Sequence, residues 1–138
     1  MDRKKFIKLI SAGVLCSVPL GGITGCVSYR YVDARRNGDQ LEVPKSSFRE
    51  DSFVLVRNPG RSSPIYLGKH SEDSYSAIFL ECTHKQCTVE PSGETFTCPC
   101  HGSKYDREGK ILEGPARQDL YTYQVTTDAG TIYIQLST

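Results

Sequence analysis

The sequence has almost no excess of charge of either sign: 17 lysines and arginines stand against 16 acids, a formal net charge of +1. Nucleic-acid binders concentrate cations on one face, and neither a basic excess nor an interleaved run of basic and aromatic residues is present, so no nucleic-acid partner is expected. Helical periodicity is missing as well. No stretch repeats apolar residues at intervals of three and four, which argues against a helical fold. The longest apolar run, Leu9 to Ile23, covers about 15 residues, short of the roughly 20 that a membrane-spanning helix needs. Internal repeats and low-complexity tracts are absent, and no nucleophile stands with a base of its own, so the chain is not expected to be catalytic alone. Its 138 residues, 24% charged and 38% hydrophobic, suit one domain with a modest core.

The first 26 residues, "MDRKKFIKLISAGVLCSVPLGGITGC", have a basic start, an apolar middle and small residues before a cysteine, which is export-signal architecture. The ending "ITGC" resembles a bacterial lipobox. That resemblance implies a signal peptide over 1–25, with lipidation of Cys26 as the first residue of the mature protein and stable anchoring through two or more acyl chains. "DRKKFIK" also resembles the twin-arginine export signal, with Arg3 and Lys4 in the paired positions, Phe6 in place, and Lys4 departing from the second arginine. The implied location is exported, anchored at the outer face of the cytoplasmic membrane on the periplasmic side.

Beyond residue 26 the apolar residues alternate with period two in short runs bounded by turn residues, the pattern of an all-β chain. Strands are expected at 29–32, 39–43, 52–57, 64–68, 75–81, 95–98, 110–114, 120–126 and 131–136. Asn37-Gly38, Asn58-Pro59-Gly60, Ser92-Gly93 and Asp128-Ala129-Gly130 supply turn chemistry between them. Strands at this spacing imply a small antiparallel sandwich or barrel. Residues 26–48 read as a tether with the first strands and 49–138 as the main domain; "DARRNGD" at 33–39 reads as a solvated hairpin tip.

Most of the chain's soft ligands sit in two short segments, "CTHKQC" at 82–87 and "CPCHGSKY" at 98–105, which hold four of its six cysteines and two of its three histidines. Three assignments compete for them. Zinc accepts two cysteines and two histidines, but that leaves Cys87 and Cys100 over, and a one-residue gap between Cys82 and His84 is tight beside the usual spacings. Disulfides suit an exported protein but give no reason for a histidine beside a cysteine in both segments. An iron-sulfur cluster with mixed ligands is the third.

The two segments closely resemble the boxes of the Rieske [2Fe-2S] family, C-x-H-x-x-C and C-x-C-H-G-S-x-(Y/F), and "GPA" at 114–116 is similar to that family's proline loop. The resemblance covers about residues 50–138. It implies a Rieske-type antiparallel β sandwich with a small cluster-binding subdomain at about 80–116, holding one [2Fe-2S] cluster. Cys82 and Cys98 would bind one iron and His84 and His101 the other, with Cys87 and Cys100 joined in a disulfide. Ser103 would hydrogen-bond a bridging sulfide, Tyr105 the sulfur of Cys82, and Gly114, Pro115 and Ala116 would cover the cluster. Gly102 is expected at a close backbone approach or a positive φ.

Two neutral imidazoles in place of two thiolates leave the cluster less negative, so adding an electron meets less repulsion; such centres span about −150 to +300 mV, against roughly −400 mV for plant-type ferredoxins. Hydrogen bonds to sulfur push the same way. Electron uptake then favours proton uptake at His84 and His101, a coupling that suits quinol. The extra cysteine pair resembles the subunits of cytochrome bc-type complexes and of arsenite oxidase. The implied function is one-electron transfer at the membrane surface as the iron-sulfur subunit of a quinol-oxidising complex; the alternative is the electron-relay small subunit of a periplasmic oxidoreductase such as an arsenite-oxidase-like molybdoenzyme. Implied partners are the membrane, through the lipid anchor, a cytochrome b-like or other redox subunit, and a c-type cytochrome or similar acceptor. The first box departs from the C-T-H-x-G-C usual in quinol-oxidising complexes: Lys85 stands where an apolar residue is common and Gln86 where glycine is. Lys85, Lys104 and Arg107 are expected to steer an acidic redox partner to the cluster tip.

Overall fold

The computed structural model describes residues 28–137, so the expected export signal and the expected lipidation site, Cys26, lie outside the described residues. The chain runs β1 (Tyr31–Val32), β2 (Arg35–Asn37), β3 (Gln40–Pro44), a 3-10 turn (Lys45–Phe48), β4 (Phe53–Val56), β5 (Ile65–Ser71) and β6 (Ser74–Phe79). It continues through β7 (Glu90–Ser92), β8 (Thr95–Thr97), β9 (Lys104–Asp106), β10 (Ile111–Glu113), β11 (Thr122–Tyr123), β12 (Val125–Thr127) and β13 (Thr131–Gln135). These strands form three sheets, ordered β1-β4-β5-β6-β11, β12-β13-β3-β2 and β10-β9-β8-β7. No helix among the described residues is long and apolar enough to cross a membrane.

The middle sheet explains why the runs "FVLV", "PIYL" and "AIFL" are apolar at successive positions. Neighbouring side chains on a strand point to opposite faces, and both faces of this sheet are covered. Val54, Val56, Ile65, Leu67, Ala77 and Phe79 turn one way and pack with Leu41, Val43, Phe48, Ile132 and Ile134. Leu55, Tyr66 and Ile78 turn the other way and pack with Val89, Phe96 and Tyr105 of the cysteine-bearing end. Each fully buried aliphatic contributes roughly 1.5–3 kcal/mol, so this doubly covered sheet is a firm floor on which the cysteine-bearing end stands.

The expected all-β antiparallel sandwich with a small subdomain is the fold observed, with local departures. β1 pairs with β4 in parallel, Tyr31 opposite Leu55, because the chain crosses over before β4 instead of turning back in a hairpin. The strand expected at 120–126 is broken at Gln124: β11 joins the middle sheet against β6 and β12 joins the outer one against β13. Three strands were not expected. β2 is fully exposed and charged, so only its pairing to β3 around the Gly38 turn defines it. β9 overlaps the second box. β7 contains Pro91 and lies at a sheet edge, where a residue without an N–H is tolerated. From Tyr29 onward the expected tether is docked: the Tyr29 hydroxyl donates to the Pro91 carbonyl at 2.6 Å, Arg30 pairs with Asp51, and Leu41 and Val43 are fully buried.

Candidate metal centre

The two cysteine-histidine loops project from the β7–β10 sheet and share one backbone design. In each, the N–H of the leading cysteine donates to the carbonyl five residues on, Cys82 to Cys87 and Cys98 to Ser103, at 2.8 Å in both. The carbonyl of the same cysteine accepts from the N–H four residues on, Gln86 at 2.8 Å and Gly102 at 2.9 Å. Closing so tight a bracket puts that fourth residue in the left-handed region, φ 62° at Gln86 and 82° at Gly102. The glycine in "CHGS" thus has a torsional reason, with open space where its Cβ would be, and aligning the boxes on their first cysteines would have revealed Gln86 as its counterpart. Left-handed backbone costs a side-chain-bearing residue roughly 1–2 kcal/mol. Gly102→Ala is therefore expected to destabilise the protein by about that much, and Gln86→Gly to stabilise it by about 0.5–1 kcal/mol after the added unfolded-state entropy, both measured by denaturant unfolding.

Cys82 and Cys98 are the free cysteines among the described residues, and both are buried. Burial pushes the Cys82 thiol up, but hydrogen bonds from the Tyr105 hydroxyl, the His84 backbone N–H, Cys98 and Ser103 outweigh it and bring it below the ordinary range. Burial also pushes Cys98 up, and there it prevails over the N–H groups of Cys100 and His101. Cys87 and Cys100 are bonded to each other, with Cα atoms 6.5 Å apart. The sulfurs of Cys87, Cys98 and Cys100 lie within 4.8 Å of one another, yet two of these are consumed by the disulfide and offer no thiolate.

His84 and His101 meet with ring centroids 4.8 Å apart and planes at 89°. His84 is half-buried and His101 exposed. Nδ1 of His84 is buried with no hydrogen-bond partner, an arrangement that costs about 1–3 kcal/mol unless something else binds that nitrogen. Two buried free thiols and an orphaned imidazole nitrogen on facing loops fit an iron-sulfur cluster with mixed ligands.

Tyr105, fully buried, places its hydroxyl 3.3 Å from Cys82 Sγ and 3.3 Å from Thr83 Oγ1. Thr83 has already given its hydrogen to the Gln118 carbonyl at 2.8 Å, so Tyr105 is the donor in this group. The Ser103 hydroxyl is fully buried and accepts from the Ala116 N–H at 3.0 Å, holding the 114–116 loop against the second box. Gly114 and Pro115 are exposed and Ala116 is buried. That loop forms one wall of a groove of about 480 Å³ lined by Thr83, His84, Pro115, Ala116, Arg117 and Gln118. Arg117 and Gln118 were not anticipated, because only the folded loop brings them beside His84.

Arg107 lies elsewhere than expected. Its guanidinium donates to the Tyr66 hydroxyl at 2.8 Å and to the Gly93 carbonyl, so it fastens the β9–β10 hairpin to the middle sheet and does not reach the histidines' groove. Lys104 is 3.5 Å from Glu113 and is neutralised there.

Comparison with known proteins places this geometry. The Rieske [2Fe-2S] domain profile matches residues 38–124. The cytochrome b6-f complex iron-sulfur subunit of Synechococcus sp. strain CC9605 is 29% identical, over 97% of this chain and 84% of its own length, and that of strain RCC307 is 30% identical with the same coverage. Among solved structures, the cyanobacterial plasma membrane Rieske protein PetC3 from Synechocystis PCC 6803 superposes with a TM-score of 0.55 at 27% identity, covering 67% of this chain and 94% of its own. With a profile over more than half of the sequence and both cysteine-histidine loops inside it, the chain belongs to the Rieske [2Fe-2S] domain family.

Proposed function

We propose that this chain is the iron-sulfur subunit of a quinol-oxidising complex, passing single electrons at the membrane surface on the exported side. The observation that carries this reading is the pairing of two buried thiols with a half-buried His84 and an exposed His101, since it separates a protected redox core from an accessible port. Cys82 and Cys98 would hold one iron, and His84 and His101 the other. When bound, the cluster supplies a one-electron couple of high potential. The protein's part is to hold the sulfur ligands dry, to donate a hydrogen bond from Tyr105, to brace the 114–116 loop with Ser103, and to leave His101 open to a partner. The cytochrome b6-f relatives support the quinol-oxidising assignment.

Signal cleavage after residue 25 and lipidation of Cys26 would put the domain close to the bilayer. From Cys26 to Tyr29, where the chain is already fastened to Pro91, three residues reach at most about 10 Å. A second reading, the relay subunit of a periplasmic oxidoreductase, is favoured by Lys85, which stands exposed beside His84 where burial in an apolar quinol pocket would leave a charge uncompensated.

Washed membranes containing the full-length protein distinguish the two. Added quinol is expected to reduce the cluster before any other donor is supplied. Tyr105→Phe, which removes one charge-assisted hydrogen bond, should lower the potential by about 50 mV and slow that reduction. Reduction that ignores quinol and follows a soluble substrate would move the assignment to the relay reading.

A further inference from the structure

The cysteine-bearing end carries five cations between residues 80 and 120: Lys85, Lys104, Arg107, Lys110 and Arg117. Three have acidic partners in the structure, Lys104 with Glu113, Arg107 with Glu94 and Lys110 with Asp119. Among the described residues, Lys85 and Arg117 have none, and both are exposed. These two adjoin the electron port: Lys85 follows His84 in the chain, and Arg117 lines the same groove as His84, whose walls contain no acid. Beside it, Pro115 is exposed and Leu112, on the strand leading into that loop, is 55% exposed.

We propose that Lys85 and Arg117 form an electrostatic collar around His84 that docks the acidic face of a redox protein, with Pro115 and Leu112 as the apolar part of the contact. This rests on the electron-carrier reading and adds the chemistry of the partner. Charges at the rim of an interface act mainly on encounter and orientation, and they do so where the partner must arrive, here over the histidine from which an electron leaves. An unpaired lysine and arginine at this point attract carboxylates and repel cationic surfaces, and an apolar carrier has nothing to pair with them.

The test is one-electron oxidation of the reduced, cluster-loaded protein by oxidants of opposite charge: ferricyanide, which becomes ferrocyanide, and tris(phenanthroline)cobalt(III), which becomes the cobalt(II) complex. A strongly acidic and a strongly basic cytochrome c serve as the protein probes. For the native chain, oxidation by ferricyanide and by the acidic cytochrome should be fast at low salt and slow as salt is raised. In Lys85→Glu/Arg117→Glu both should fall about tenfold at low salt, while the cobalt complex and the basic cytochrome speed up. Opposite movement is the signature, because an altered driving force would shift all oxidants in the same direction. Lys85→Gln/Arg117→Gln, expected to give intermediate rates, serves if the charge reversal does not fold. Arg35→Glu/Arg36→Glu on β2, in a different sheet, makes the same change in net charge and should leave the rates near native. The collar is overturned if the double variant, with its cluster spectrum intact, keeps native rates and salt dependence, or if β2 has an equal effect. Acceleration of ferricyanide without preference for the acidic cytochrome overturns the protein partner and leaves a small anion. Absence of any cluster spectrum would instead remove the electron-carrier reading itself.

Discussion

Replacing either His84 or His101 with alanine should yield a folded, colourless chain whose iron content falls at least about tenfold below that of the native protein. The two rings face each other across 4.8 Å on separate loops, and no other histidine in the described residues approaches them: His70, the third, hydrogen-bonds Ser76 at 3.0 Å on the β5–β6 hairpin. Water is the only ready substitute for a missing imidazole, and it neither fixes geometry nor donates comparably to iron. The fold is expected to survive, because the core of Leu41, Val43, Val54, Leu67, Ile132 and Ile134 contains no residue of either box. Iron analysis with circular dichroism checks both halves: iron lost, β signature retained. A variant that keeps its iron and its visible spectrum would show that the histidines are not ligands.

The second large effect concerns the disulfide. Cys87 and Cys100 close a loop with a sequence separation of 13, for which chain entropy alone gives roughly 3 kcal/mol. A cluster held by Cys82 and Cys98, as proposed, would join the same two loops, so part of that entropy would then already be removed. Cys87→Ala/Cys100→Ala should therefore cost the iron-free protein about 3 kcal/mol and the loaded protein clearly less. Denaturant unfolding of native and variant chains, each with and without iron, completes the cycle. Equal losses in both forms would mean that the cluster and the disulfide do not restrain the same loops. The exported location proposed for the chain is the oxidising setting in which such a bond persists.

The contrast between what could be read in advance and what could not follows from range. Cys82, His84, Cys98 and His101 were conspicuous because soft ligands at short, paired spacings are uncommon, and the alternation of "TIYIQL" dictates a strand through its own chain. Glu90-Pro91-Ser92 carries no such alternation and is a strand only because β8 pairs with it. Tyr31 and Val32 lie parallel to β4 through contacts set more than twenty residues away. The break at Gln124 was hidden because both sides of it alternate correctly, each for a different sheet. At the site, Gln86 was noted as a departure from glycine without its cause, the left-handed turn that both loops share. Arg107 was expected to help steer a partner to the cluster tip, yet its guanidinium is engaged by the Tyr66 hydroxyl. Arg117 and the Ser103 clamp on Ala116 depend on a loop folding back over the boxes, which no local pattern encodes.

The central claim is that the chain's own two thiols and two imidazoles divide between the irons of one cluster. Pulsed electron paramagnetic resonance of the reduced, full-length protein addresses it most directly, since nitrogen nuclei bound to iron modulate the signal. Two distinct imidazole nitrogens coupled to a rhombic signal are predicted for the native protein. A signal without nitrogen coupling, or a native, folded protein holding zinc and no paramagnetic centre, would contradict it.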